Sequence, residues 1–108
     1  MGKYLVIGSY TAEGAKGLLK EGGTSRRAET ERLAAALGGK IEAYYFAFGE
    51  DDFYILADMP NNVSAAAAPL IAGATGSVRV RTVVLLTPEE VDAVKAKAAA
   101  VNFRAAGR

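Results

Sequence analysis

Lys40–Met59 has the sequence KIEAYYFAFGEDDFYILADM, and the architecture of the chain follows from it. Lys40–Phe48 is rich in aromatic residues and carries apolar side chains at odd and even positions, which predicts a strand covered on both faces. Gly49-Glu50-Asp51-Asp52 has the composition of a hairpin turn, and Phe53–Met59 is the returning strand. The segment therefore predicts an antiparallel β-hairpin.

Upstream of the hairpin, the pattern predicts one strand and two helices. Tyr4–Tyr10 is a short β-rich run, and Thr11 is a good N-cap for a weak helix over Thr11–Lys20. Ser25–Leu37 has apolar residues on one face and is followed by two glycines, as at a helix C-terminus. Thr24 or Ser25 is the predicted cap of this second helix.

Downstream of the hairpin, the pattern predicts helix, strand and helix. Val63–Ala74 is alanine-rich, and Pro69 within it is expected to kink or split the helix. Ser77–Leu86 is a long β-branched strand. Thr87-Pro88-Glu89-Glu90 has the residues of a capping box with proline at the first helical position, so a final helix runs through Ala100.

This order predicts an α+β fold, the ferredoxin-like βαββαβ arrangement with an extra C-terminal helix. Residues 1–101 are expected to form a single domain, and 102–108 a loose C-terminal tail. The crossover helices cover one face of the antiparallel sheet, so the helices lie on one face and the other face, which also carries apolar side chains, needs a partner. We therefore expect a homodimer, or a higher homo-oligomer built from it, in which the sheets of two copies pack face to face.

Composition excludes several classes of function. The 108 residues include no cysteine and no histidine, which removes disulfides, thiol nucleophiles, thiolate zinc sites and histidine-ligated haem. The formal net charge of +1 disfavours a nucleic-acid binder, and no apolar run is long enough for a membrane span. Without a signal-peptide pattern we expect a cytoplasmic protein, and we expect no cofactor.

Five motifs give the chain a resemblance to the GYD-domain family of small bacterial proteins, and the resemblance extends over nearly all of it. They are Tyr4–Thr11 with Gly14, Leu37–Phe46, Phe48–Asp52, Asp58-Met59-Pro60 and Gly76–Thr82. The family's naming motif, Gly-x-Tyr-Asp, corresponds to Gly49-Glu50-Asp51-Asp52, where Asp51 replaces the tyrosine. The resemblance implies a dimeric α+β barrel, in a superfamily that includes cofactor-independent monooxygenases, haem enzymes and ligand-sensing modules.

The candidate functional residues are one carboxylate, two tyrosines and two arginines. Asp58, near the end of the third strand, is the candidate general base; the alternative is that it caps the next helix or pairs with Arg79 or Arg81. Tyr10 and Tyr45 are expected to line a pocket, or else to belong to the core or interface. Arg26 and Arg81 are candidates for holding an anionic group, or else they are solvated or form salt bridges.

The acidic turn Glu50-Asp51-Asp52 has oxygen ligands that suit a hard cation, but successive side chains point apart, so we expect no metal site and a solvated hairpin tip. Two functions fit the whole sequence. The first is a ligand-binding or structural homo-oligomer. The alternative is a cofactor-free monooxygenase or isomerase acting on a small aromatic or enolisable compound, in a pocket that holds Tyr10, Tyr45 and Asp58.

Overall fold

The computed structural model describes residues 2–108 and confirms the predicted α+β fold, which is roughly ferredoxin-like with an additional C-terminal helix. Its elements are β1 (Gly2–Tyr10), α1 (Ala12–Glu21), α2 (Gly23–Ala36), β2 (Lys40–Phe46), β3 (Phe53–Met59), α3 (Asn62–Ala74), β4 (Val78–Leu85) and α4 (Pro88–Ala99). The strands form one antiparallel sheet in the order β2-β3-β1-β4, so β1 lies between β3 and β4.

Three predicted boundaries differ from the structure. β2 ends at Phe46 because the hairpin closes there: Ala47 N–H donates to the carbonyl oxygen of Asp52 at 2.7 Å. The expected cap of α2 at Thr24 or Ser25 is wrong, since α2 begins one residue after Gly22, whose φ of 87° lies in the region that favours glycine.

The third difference is at Pro69, which lies inside α3 without splitting it. Proline removes one backbone donor from the helix, and its ring crowds the carbonyl group four residues earlier. Asn61 starts this helix by accepting a hydrogen bond from the backbone N–H of Ser64 at 2.9 Å. The helix nevertheless continues to Ala74.

The core lies between the sheet and the helices α2 and α3. Its buried members are Tyr4, Ala34, Ala57, Met59 and Ala65. Alanines on both sides let the helices approach the strands closely, and the ring of Tyr4 is the largest side chain of this cluster. The Tyr4 hydroxyl donates to Oδ1 of Asn62 at 2.5 Å, which ties the start of α3 to the central strand.

The other face of the sheet is not covered by α1, α2 or α3, which all pack on the side of Tyr4. We call it the open face. Because side chains alternate along a strand, it carries Lys3, Leu5, Ile7, Tyr45, Tyr54, Leu56, Asp58, Arg79, Arg81, Val83 and Leu85. Tyr45 is 71% exposed and Val83 39% exposed. The helices therefore lie on one face, as predicted.

The last helix, α4, extends away from the sheet. Its N-terminus has the predicted capping box, in which Thr87 and Glu90 bond each other's backbone N–H. All twelve residues of α4 are exposed. The chain consequently measures 58 Å in its longest direction, with a radius of gyration of 17.4 Å, whereas a compact chain of this length has about 13 Å. Within residues 2–108, no helix has the length and apolar character that crossing a bilayer requires.

Two glycines in α1 give opposite expectations for the same substitution. At Gly14 an added Cβ would lie 1.9 Å from the carbonyl oxygen of Ser77, because α1 packs directly on the start of β4; at Gly17 nothing lies within 4 Å. We expect Gly14→Ala to lower the free energy of unfolding by about 1–3 kcal/mol. We expect Gly17→Ala to raise it by about 0.5–1 kcal/mol, since alanine favours the helix.

Urea unfolding followed by circular dichroism measures both changes, and Gly17→Ala controls for the methyl group itself. Equal stabilities for the two variants would contradict the close packing of α1 against Ser77.

Candidate functional site

A cavity of about 470 Å³ lies between the sheet and the helices α1, α2 and α3. Its floor is formed by strand side chains that face the helices, among them Val6, Ile55 and Val80, and Leu18 and Leu33 contribute from the helices. The wall is therefore mostly apolar. A cavity of this size and character is within the range of small-molecule sites.

Two tyrosines and one arginine bring polar groups to this apolar cavity. Tyr10 is the last residue of β1, and Tyr44 lies on β2 opposite Ile55, which faces the helices. Arg26 reaches the cavity from the first turn of α2, where its guanidinium also lies 3.6 Å from Glu21. The chain folds so that these three residues come from three different elements and line one cavity.

Phe53 holds the two tyrosine rings in place. Its ring centroid is 5.3 Å from that of Tyr10 and 6.3 Å from that of Tyr44. The ring of Phe53 lies over Gly8, where an added Cβ would be 2.1 Å from the Phe53 Cζ atom. The glycine in the centre of β1 is therefore what allows the aromatic group to pack on the sheet.

Burial raises the pKa of Tyr10 well above its usual range, and the hydroxyl of Tyr44 raises it further. The guanidinium of Arg26 acts in the opposite direction, but its effect is smaller. Tyr10 is therefore a neutral hydroxyl at physiological pH and can donate a hydrogen bond to a ligand. Tyr44 and Arg26 influence this pKa because their polar ends lie near the Tyr10 hydroxyl.

Of the predicted site residues, the structure brings Tyr10 and Arg26 to the cavity and places Tyr45, Asp58 and Arg81 on the open face. The expectation that Tyr10, Tyr45 and Asp58 share a pocket is therefore wrong. For Tyr45 the reason is a β-bulge between Ile41 and Ala43, where the extra residue reverses the alternation of side chains. Tyr44 takes the position facing the helices that the sequence pattern assigned to Tyr45.

Asp58 is distant from Tyr10 because β1 and β3 are antiparallel. The register pairs Asp58 with Lys3, at the opposite end of β1 from Tyr10. Asp58 is 8% exposed, and its Oδ2 accepts a hydrogen bond from Lys3 Nζ at 3.2 Å; Lys3 also pairs with Glu42. It neither caps α3, which Asn61 does, nor pairs with an arginine of its own chain.

The acidic hairpin tip connects three strands. Asp52 accepts a hydrogen bond from the backbone N–H of Tyr10 at 2.7 Å. Asp51 accepts from Arg81 at 3.3 Å and lies 3.5 Å from the Tyr54 hydroxyl. Among residues 2–108, no three carboxylates come together as metal ligands. Asp51 and Asp52 thus hold the hairpin against β1 and β4.

These features define a small α+β protein with a cavity on the helix side of a four-stranded sheet and an apolar open face. The chain belongs to the GYD-domain family: the family model described as the GYD domain matches residues 4–95. The match extends from β1 into α4 and confirms the family indicated by the sequence motifs. Neither the curated proteins nor the solved structures gave a match.

The raised pKa of Tyr10 has a consequence for stability at alkaline pH. The folded protein holds the Tyr10 proton more tightly than the unfolded chain does. The stabilisation that results is fully present below a pH of about 10, and it is lost as the pH rises further. Glu42 and then Asp58 raise the pKa of Lys3, which acts in the same direction. We expect the free energy of unfolding of Tyr10→Phe to fall less steeply as the pH rises, because the contribution of Tyr10 is removed and that of Lys3 remains.

Urea unfolding at a series of pH values from about 8 to 11 gives the change in the free energy of unfolding with pH for the wild type and for Tyr10→Phe. Tyr45→Phe, which removes a hydroxyl from the open face, is the matched control. The burial of Tyr10 would be contradicted if Tyr10→Phe and the wild type lost stability in parallel.

Proposed function

We propose that this protein binds a small molecule in the cavity on the helix side of the sheet and does so as a homodimer. The observation that carries the proposal is the grouping of Tyr10, Tyr44 and Arg26 at one apolar cavity of about 470 Å³. Ligand sites commonly combine apolar walls with a few converging polar groups. A core that served packing alone has no use for an arginine and two hydroxyls at the same place.

The polar groups indicate the class of ligand. Tyr10 and Arg26 are hydrogen-bond donors at neutral pH, and Tyr44 adds a second hydroxyl. Most of the remaining wall is apolar and includes the flat ring of Phe53, although Glu13, Glu21 and Glu29 also line it. A small, flat, mostly apolar molecule with one anionic or strongly accepting group, such as a carboxylate or an enolate, satisfies both parts of the cavity.

The alternative function, a cofactor-free monooxygenase or isomerase, requires a base beside the ligand. Asp58 was the candidate for that role, but it lies on the open face and is paired with Lys3. The carboxylates that do line the cavity are those of Glu13, Glu21 and Glu29. Glu21 is paired with Arg26, and the hydrogen bond with Arg32 lowers the pKa of the Glu29 carboxyl group and makes it a weaker base. Ligand binding is therefore the function that the geometry favours.

The open face supports the homodimer. Leu5, Leu56 and Val83 form an apolar row across the strands, and Tyr45 and Tyr54 are exposed beside it. Soluble monomers rarely leave one face of a sheet uncovered when it carries such residues. A second copy offers an equal apolar face, and packing the two together leaves both cavities accessible on the outside.

The cavity is tested with the fluorescent probe 8-anilinonaphthalene-1-sulfonate, which combines flat aromatic rings with one anionic group. We expect Arg26→Gln to raise the Kd of the probe about tenfold, because a charge-assisted hydrogen bond is lost. Arg27→Gln is the matched control: Arg27 is the next residue on α2, is exposed and does not line the cavity.

Tyr44→Phe gives a second, independent measurement, with an expected increase of about threefold to tenfold in Kd for the loss of one neutral hydrogen bond. Equal Kd values for wild type, Arg26→Gln and Tyr44→Phe would contradict binding in this cavity. Native mass spectrometry of the purified protein then identifies any natural ligand by its mass.

The dimer is tested by cross-linking, which the absence of natural cysteines makes specific. Val83 is on the open face and Thr82, its neighbour on β4, points to the opposite side. With a bis-maleimide reagent we expect Val83→Cys to give a covalent dimer and Thr82→Cys to remain mostly monomeric at the same concentration. Equal cross-linking of the two variants, or none with Val83→Cys, would contradict a dimer through the open face.

A further inference from the structure

The charged residues of the open face lie in two rows at equal distances from its apolar row. Leu5 pairs with Leu56 on one side and with Val83 on the other, so these three residues cross the sheet in a line. Two residues away in one direction, Lys3 pairs with Asp58; two residues away in the other, Ile7 pairs with Arg81. The apolar row is thus midway between an aspartate and an arginine.

Asp58 lacks one hydrogen bond in the isolated chain. Its Oδ2 accepts from Lys3, but its Oδ1 is buried and has no donor among residues 2–108. Buried carboxylate oxygens normally have a partner. Lys40 lies opposite Asp58 on β2 without forming an ion pair with it, and Lys3 is shared with Glu42. The Asp58 side chain is 11% exposed, and because Oδ1 is covered, Oδ2 is the oxygen that a further donor can reach while Lys3 stays paired.

Arg81 has donors to spare. Its side chain is 64% exposed and makes a single contact of 3.3 Å with Asp51, whereas a guanidinium can donate several hydrogen bonds. Arg79, two residues earlier on the same face, makes no ion pair within the part of the chain that the structure describes. This end of the open face therefore presents two arginines with unused donors.

The opposite end of the open face is acidic. β4 ends at Leu85 beside Lys3, so the first turns of α4 begin at the end where Asp58 lies. These turns contain Glu89, Glu90 and Asp92, all exposed. At the end that we call the arginine end, Arg81 is shared with Asp51 and Arg79 makes no ion pair among residues 2–108. At the end that we call the acidic end, Lys3 is paired with Asp58 and Glu42, and the carboxylates of α4 add negative charge.

Two aligned packings of identical sheets are compatible with two-fold symmetry. If the axis runs along the strands, each arginine end faces the partner's arginine end, and like charges meet. If the axis runs across the strands, each arginine end faces an acidic end. Charge complementarity favours the second arrangement.

We infer that the two-fold axis of the homodimer runs across the strands along the row Leu5, Leu56 and Val83, and that Asp58 pairs with the partner's Arg81. This inference rests on the homodimer proposed above. With sheets about 10 Å apart and strands about 4.8 Å apart, the two Cα atoms are about 14 Å apart, a distance that an extended arginine, an aspartate and their hydrogen bond span. The pair forms twice in each dimer.

Charge reversal tests the pair. Asp58→Arg places arginine against arginine twice in its own dimer, and Arg81→Asp places aspartate against aspartate twice. We expect each variant alone to have a dimer Kd at least tenfold above that of the wild type, measured by sedimentation equilibrium. Mixed in equal amounts, the two variants restore both pairs, so we expect a heterodimer with a Kd close to the wild-type value.

Arg27→Asp, which reverses a charge on α2 away from the open face, is the matched control, and circular dichroism checks that each variant is folded. Should Asp58→Arg fail to fold, the double variant Asp58→Asn and Arg81→Asp replaces it. That variant removes the repulsion in Arg81→Asp, so its dimer is expected to be tighter than that of Arg81→Asp alone.

The outcomes separate this inference from the homodimer itself. Wild-type protein that sediments as a monomer, together with no cross-linking through Val83→Cys, overturns both. Cross-linking through Val83→Cys with wild-type dimer affinity in Arg81→Asp, or with no heterodimer in the mixture, overturns the axis and the pair while leaving the homodimer in place.

Discussion

The alternation of side chains along β1 is the constraint on which the other features depend. As a central strand, β1 bonds β3 on one edge and β4 on the other, so it has no freedom to rotate its side chains between faces. Tyr4, Gly8 and Tyr10 face the helices and provide the core, the space for Phe53 and the polar end of the cavity. Lys3, Leu5 and Ile7 face the other way. A slip of one residue exchanges these two roles and loses the core and the cavity together.

The same constraint explains why a small sheet has two different faces. The helix side is closed by small residues, because alanines from α2 and α3 meet the strands around Tyr4. Near Gly17 of α1, where an added Cβ would meet nothing within 4 Å, the packing opens into the cavity. The open face has no such covering, and its apolar residues are stabilised only by contact with another surface.

Much of the fold could be predicted from local signals. The capping box at Thr87, the N-cap at Thr11 and the hairpin around Gly49 depend on residues close together in the sequence, and the structure contains all three. The site was predicted only in part. Tyr10 and Arg26 are the predicted site residues that line the cavity.

Tyr45 and Asp58 were misplaced for long-range reasons. The face on which Tyr45 lies depends on the bulge in β2, and the location of Asp58 depends on the pairing of β1 with β3. Alternation along a strand indicates which residues share a face, but a single extra residue reverses it. A polar residue such as Glu42 inside an otherwise apolar strand is the one local sign of the bulge, since it marks the position where the pattern changes.

The exposure of α4 has a consequence for the dynamics of the chain. An isolated helix of twelve residues is marginal in water, and α4 is held by its capping box and its alanines rather than by the sheet. It therefore opens and closes without disturbing the strands, on its own local free energy. Its amide hydrogens are therefore expected to exchange with solvent faster than those of the central strand β1.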